Sequence, residues 1–253
     1  MKNIIILIFI VQFVTSCSEN SEIFIAPSIA CINEYKDTTD SGRCDFISEQ
    51  FPDYYCEVQH IDEFVLEESS KEYLPQFCYQ IGSVIKYKDN HDHFINFKII
   101  DKWYKYGINI YPIKNCVGDT AKSIGSCFGS ERVFIVFESD SPKIRLIFEL
   151  ETFPANVLNY NGEFGDALSI VRLIGNGYYS TDFSVIVNKR TLSYEKFFHQ
   201  EFYSVINLNN KNYKNVLSCN LKLNEPSFTF YYSKEYGLIG FMDKDGKIWT
   251  LVE

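Results

Sequence analysis

Ile144-Arg145-Leu146-Ile147-Phe148-Glu149-Leu150 is the stretch on which the fold class turns. Ile144, Leu146, Phe148 and Leu150 fall on one face of an extended chain, and Arg145 and Glu149 on the other. A period of two with one apolar side is a strand lying on a core with its back to water. Before it, Ser139-Asp140-Ser141-Pro142 reads as a turn, and Val133–Phe137 is continuously apolar, a strand covered on both faces. After it, Phe153 to Asp166 reads as a loop carrying Pro154, Asn159, Asn161, Gly162 and Gly165.

The same rhythm extends in both directions. Downstream, Leu168–Ile174 is a strand or a short helix. Phe183–Val187, Phe197–Leu208, Tyr213–Leu221, Phe228–Tyr232, Leu238–Met242 and Ile248–Val252 read as strands. Asn209-Asn210-Lys211-Asn212 and Asp243-Lys244-Asp245-Gly246 turn the chain between them, the latter as a tight Asp-Gly hairpin. Upstream, Ile81–Tyr87, Phe94–Ile100 and Trp103–Tyr111 are strands, and the Gly/Ser-rich run from Asn115 to Ser130 is expected to be a loop. Residues 28–78 are irregular, with strands only at Tyr54–His60 and Ile61–Leu66 and a helical turn over Glu67–Glu72, ahead of Pro75. Polar turns at regular intervals, without helical periodicity, predict an antiparallel all-β meander closing into a barrel, half-barrel or sandwich, with an irregular cysteine-rich N-terminal segment. The 22 Phe, 18 Tyr and 2 Trp fit strands before they require a ligand.

The N-terminus has a separate meaning. Lys2 gives a positive start, Ile4 to Val14 is apolar except for Gln12, and Val14-Thr15-Ser16 precedes Cys17. This is the layout of a secretion signal, and the apolar run falls short of the ~20 residues that span a bilayer. The stretch resembles bacterial lipoprotein signals, in which the cysteine becomes the acylated N-terminus; that resemblance makes Cys17 the lipid attachment site, palmitate included. An ordinary secretion signal cut near Ser16 and a retained anchor helix are the alternatives. The expected organisation is a signal peptide over 1–16, a lipidated tether over 17–27 and one β-rich domain over 28–253, with a subdivision near 153–165.

The formal charge is −9, and no basic cluster interrupts it, which argues against nucleic acid as a partner. The expected membrane contact is the anchor. Eight cysteines lie at 17, 31, 44, 56, 78, 116, 127 and 219. Export favours disulfides. Cys116 and Cys127, bracketing the Gly/Ser run, are the expected pair. Cys31, Cys44, Cys56 and Cys78 can form two more in any connectivity, and Cys219 is left over in a strand. With no C-x-x-C, zinc ribbons and thioredoxin-like sites are excluded.

Few motifs carry chemistry. His91 and His93 are candidate metal ligands, with Asp89 as a third, but they sit where a hairpin should turn, and a solvated turn is the favoured reading. Gly125-Ser126-Cys127-Phe128-Gly129 matches a cysteine nucleophile elbow but lacks the strand–turn–helix setting. Asp40-Ser41-Gly42 lacks the second copy and apolar lead of an aspartic protease. Asp243 to Gly246 lacks the downstream ligands of a calcium loop. Glu149 and Glu151, two apart on one strand face, could act as paired acids, though a solvated face accounts for them. No phosphate loop, dinucleotide fingerprint or cofactor motif is present, and no catalytic residue is assigned.

Phe230-Tyr231-Tyr232-Ser233-Lys234-Glu235-Tyr236-Gly237-Leu238-Ile239-Gly240-Phe241, followed by Asp245-Gly246-Lys247-Ile248-Trp249, resembles the ending of many uncharacterised lipoproteins of the Bacteroidota. Tyr213-Lys214-Asn215-Val216, and Tyr73-Leu74-Pro75 through Gly82 and Tyr87, are similar to two further landmarks of that group. The resemblance implies an envelope location, at the outer membrane, and a β-rich fold, and it implies no reaction. Without reference to any family, Gly237 suits a positive φ after Tyr236, and Phe241 and Trp249 should face each other across a hairpin. The expectation is a lipid-anchored cell-envelope protein that binds or serves structurally. Its ligand would be an apolar molecule in the barrel, a glycan on exposed aromatics, or a protein. The alternatives are a hydrolase of envelope polymers and an inhibitor or immunity-type protein.

Overall fold

Two strands of more than twenty residues, β3 (Phe94–Cys116) and β4 (Asp119–Asp140), form the spine of the fold. They belong to a computed structural model that describes residues 31–32, 36–37, 53–154, 162–174, 178–192, 200–219 and 228–252. The signal and tether over 1–27 with Cys17, the Asp40-Ser41-Gly42 triplet, Cys44 and the centre of the 153–165 boundary lie outside the described residues.

The remaining elements are β1 (Tyr55–Phe64), α1 (Glu68–Lys71), a 3-10 turn (Pro75–Cys78), β2 (Val84–Lys88), β5 (Lys143–Pro154), β6 (Phe164–Ile174), β7 (Tyr178–Asn188), β8 (Gln200–Leu208), β9 (Lys211–Cys219), β10 (Thr229–Ser233), β11 (Gly237–Met242) and β12 (Ile248–Leu251). Eleven strands run antiparallel in the order β7-β6-β5-β4-β3-β2-β12-β11-β10-β9-β8, a half-barrel. The expected all-β meander is therefore present. One pairing could not come from a meander: β2 joins β12, with Thr250 opposite Lys88 and Leu251 opposite Tyr87. A side-chain amide links the two end strands. The Gln200 amide accepts from the Ile186 N–H at 3.1 Å and donates to the Ile186 carbonyl at 3.5 Å, standing in for a neighbouring strand.

Side chains of alternating parity fill the inside. Leu146, Phe148 and Leu150 of β5 are buried there, as the opening stretch requires. They meet Ile95, Phe97, Val133, Ile135, Phe137, Phe183, Phe230, Tyr232 and Phe241. Edge-to-face contacts join Phe137 to Phe148 at 4.7 Å and Tyr87 to Phe97 at 5.8 Å. Phe241 does face Trp249 across β11 and β12, with the rings 6.2 Å apart.

The largest departure from expectation is the Gly/Ser run. Asn115–Ser130 is not a loop: β3 continues to Cys116, Val117-Gly118 turns, and β4 starts at Asp119. Gly125 and Gly129 are strand residues overlaid by aromatic rings. A Cβ on Gly125 would stand 2.9 Å from the Tyr55 ring, and one on Gly129 would collide with the Tyr106 hydroxyl. Glycine in a strand interior commonly marks such a close approach. The first half of β4 also pairs, in parallel, with β1, from Tyr55 opposite Ser123 to Phe64 opposite Ser130. The second half pairs with β5. The expected pair of short strands over 54–66 is thus one strand, and Phe94–Ile100 and Trp103–Tyr111 are likewise one strand, broken by a bulge between Ile99 and Asp101.

Candidate functional site

Cysteine pairing departs from the sequence expectation. Cys116 is bonded to Cys56, with Cα atoms 6.4 Å apart, and Cys31 to Cys78, at 5.6 Å. Cys127 is disulfide-bonded as well, to a partner outside the described residues. The expected Cys116–Cys127 bridge does not form. Cys127 sits opposite Ile110, six residues along β3 from Cys116, or roughly 20 Å at strand rise, beyond any disulfide. Among the described residues Cys219, buried on β9, is the free cysteine. The Gly125–Gly129 elbow lies mid-strand, its cysteine oxidised, in no nucleophile geometry.

The segment from Leu66 to Tyr79 packs Leu66, Leu74 and Phe77 into the core. Its anchors are buried polar groups with no motif behind them. Asp166, fully buried, accepts from the Glu67 N–H at 3.1 Å, and from the hydroxyls of Ser70 and Thr152 at 2.6 Å each. Glu131 accepts from the Leu66 N–H at 3.0 Å and the Tyr104 hydroxyl at 2.8 Å, and pairs with Lys36. Burial and the neighbouring Glu131 push the Tyr104 hydroxyl far above its ordinary range. Lys102 caps the 3-10 turn, donating to the carbonyls of Phe77 and Tyr79 at 2.9 Å each. Gln76 donates to the Tyr236 carbonyl at 2.6 Å, while its own side-chain oxygen has no partner. Beside Gln76 is a cavity of about 10 Å³, lined by Tyr87, Phe97, Phe137, Leu146, Phe148 and Leu238. That is the room of about one water.

Glu149 and Glu151 share the outward face of β5 with Arg132 of β4 between them. Arg132 lies 3.8 Å from Glu149 and 3.2 Å from Glu151 and is held by Asn109 and Ser130. The face is not the solvated one expected, since the two carboxylate side chains are only 20 % and 30 % exposed. Burial, with the charge of Glu151 behind it and Arg132 opposing, raises the Glu149 carboxyl to about 7. Burial raises Glu151 against the same arginine, and burial with the charge of Glu151 raises the Tyr111 phenol. The trio can hold or release one proton near neutrality.

Asp89, His91 and His93 form the turn between β2 and β3, as expected for a hairpin. Asp89 is buried, and its first oxygen accepts from the backbone N–H groups of His91 and His93 at 2.8 Å each. Its second oxygen lies 2.8 Å from His93 Nδ1, 4.0 Å from His91 Nδ1 and 2.5 Å from Lys247 Nζ. Burial alone would raise this carboxyl, but the hydrogen bonds from Lys247, His93 and the two N–H groups hold it far below the ordinary range. Lys247 comes from the β11–β12 turn, where Asp243 accepts from the N–H groups of Asp245 and Lys247 at 3.0 Å each. The β2–β12 pairing brings the two turns to the same end of the sheet.

No protein-family model matches the chain, and neither a curated protein nor a solved structure is similar enough to match it.

Proposed function

We propose that this is a lipid-anchored protein of a bacterial cell envelope that acts by binding at its outer surface. The observation that carries the binding mode is the filled interior. Among the described residues, close-packed aromatic rings surround a void of about 10 Å³, too small for an apolar ligand, which needs hundreds of Å³. The end of the β3–β4 hairpin, with β1 paired along it, is the natural contact surface, stiffened by the Cys56–Cys116 bridge near the hairpin turn and by the parallel pairing of β1. Oxidised cysteines suit an exported chain. The anchor rests on the Val14–Cys17 box and on the resemblance of the C-terminal motif to Bacteroidota lipoproteins.

Two measurements test the reading. Cells fed an alkyne palmitate should label the wild-type chain and not Cys17→Ala; label retained on the variant would sink the anchor. Titration with a fluorescent fatty acid should show no saturable binding at one per chain. Saturable binding would mean the interior opens to a ligand and would refute the surface reading.

A further inference from the structure

We propose that Asp89, His91 and His93 form a divalent-cation site of the zinc type whose centre is occupied by the Lys247 ammonium until a metal displaces it. The three ligand atoms lie within 4.8 Å of one another. In a tetrahedral zinc site with bonds near 2.0–2.1 Å, ligand atoms are roughly 3.4 Å apart. The 2.8 Å from His93 Nδ1 to Asp89 and the 4.0 Å from His91 Nδ1 to the same oxygen bracket that separation. Both imidazoles are about two-thirds exposed and can rotate the remaining distance.

The backbone has already arranged the site. With its first oxygen bound to the N–H groups of His91 and His93, Asp89 bends the turn so that both rings stand over its second oxygen. Asp92 takes a positive φ of 58° to complete the bend. The second oxygen is thus aimed at the point where a cation is needed. Lys247 Nζ stands there, 2.5 Å from that oxygen and 3.4 Å from His93 Nδ1.

The carboxylate only accepts, so His93 Nδ1 and Lys247 Nζ both donate to its second oxygen, and the two nitrogens stand 3.4 Å apart around the point a metal would take. A divalent ion takes lone pairs from both imidazoles and the carboxylate, with the His93 proton moving to Nε2. Lys247, whose side chain is 34 % exposed, can swing toward solvent from its position over the Trp249 ring, 4.6 Å away. Three protein ligands leave a fourth position open, as in sites that take water or a partner's ligand. His, His and carboxylate are donors that suit zinc above calcium or magnesium.

The probe is zinc chloride, titrated calorimetrically at pH 7.5 into the full, untagged, oxidised chain, with Trp emission as a second readout of Lys247 leaving Trp249. One zinc per chain is expected. His91→Ala and His93→Ala should each weaken binding at least tenfold, and because both side chains are exposed these variants keep the fold. Lys247→Met should tighten binding at least tenfold, and Lys247→Arg, which keeps a cation in place, should not. Three results overturn the proposal: no 1:1 binding in wild type or Lys247→Met, binding that survives removal of both histidines, or a folded Lys247→Met that binds no tighter. Should Lys247→Met not fold, the two histidine variants and Lys247→Arg decide the ligand set, with undiminished binding in the histidine variants refuting it.

Discussion

Glu149→Gln should stabilise the protein increasingly as pH rises from about 4.5 to about 7, and fully above that window. In the folded chain Glu149 keeps its proton up to about pH 7, against an ordinary value of 4.5. Between those values the native state binds more protons than the unfolded one, so stability falls as pH rises through that window. Moving a carboxyl from 4.5 to about 7 corresponds to roughly 3 kcal/mol, and screening through its remaining exposure brings the recoverable amount to about 1–3 kcal/mol. Gln has nearly the shape of the protonated acid and carries no charge, so at pH 8 it should recover that amount, or about 2–10 °C in Tm for a chain of this size. At pH 4, where wild-type Glu149 is mostly protonated in both states, the substitution should be nearly neutral. Glu151→Gln should act in the same direction by removing the neighbouring charge, while Arg132→Leu should steepen the alkaline loss. The assay is urea unfolding of the oxidised protein at pH 4, 6 and 8. A Glu149→Gln gain that is equal at all three values, or absent at pH 8, refutes the reasoning.

Gly237→Ala should cost about 2–4 kcal/mol, because Gly237 has a φ of 73° and the new Cβ would meet the Gln76 side-chain amide, breaking its bond to Tyr236; thermal melts measure it. Replacing Cys56 and Cys116 together by serine should cost about 4 kcal/mol by loop entropy over their separation of 60 residues, with new proteolytic cuts near the β3–β4 hairpin turn as the local sign. Glu131→Leu should cost about 3–5 kcal/mol, leaving the Leu66 N–H and Tyr104 hydroxyl without their buried acceptor, while Glu131→Gln should cost less; chemical denaturation compares the two.

What the sequence made legible follows from what each signal depends on. The alternation of Leu146, Phe148 and Leu150 is local and fixes which side of β5 faces the core, so it could be read directly. The Asp243–Gly246 turn and the Phe241–Trp249 pairing were equally local. The Gly/Ser composition of 115–130 misled because Gly125 and Gly129 answer to Tyr55 and Tyr106, which lie far away in sequence or on the facing strand. The disulfides could not be read without the β3–β4 register, which separates Cys116 from Cys127 along the hairpin. His91 and His93 were visible, and Asp89 with them, but Lys247 was not, since it is brought there by the pairing of β2 with β12. Asp166 and Glu131 carried no signal at all, for an isolated acid in a strand reads as surface until its buried partners are known.

The Cys31–Cys78 bridge also decides how the protein carries load. Tension entering from the N-terminal side of Cys31 need not travel along the chain through β1. It crosses the covalent bond straight into the 3-10 turn at Cys78, which Lys102, Gln76 and the buried Phe77 hold to the sheet. β1 lies between the two bridged cysteines in sequence, and so in parallel with that path. Under such a pull the parallel β1–β4 pairing is bypassed and keeps its shape, and reduction of the Cys31–Cys78 bridge would route the force through it.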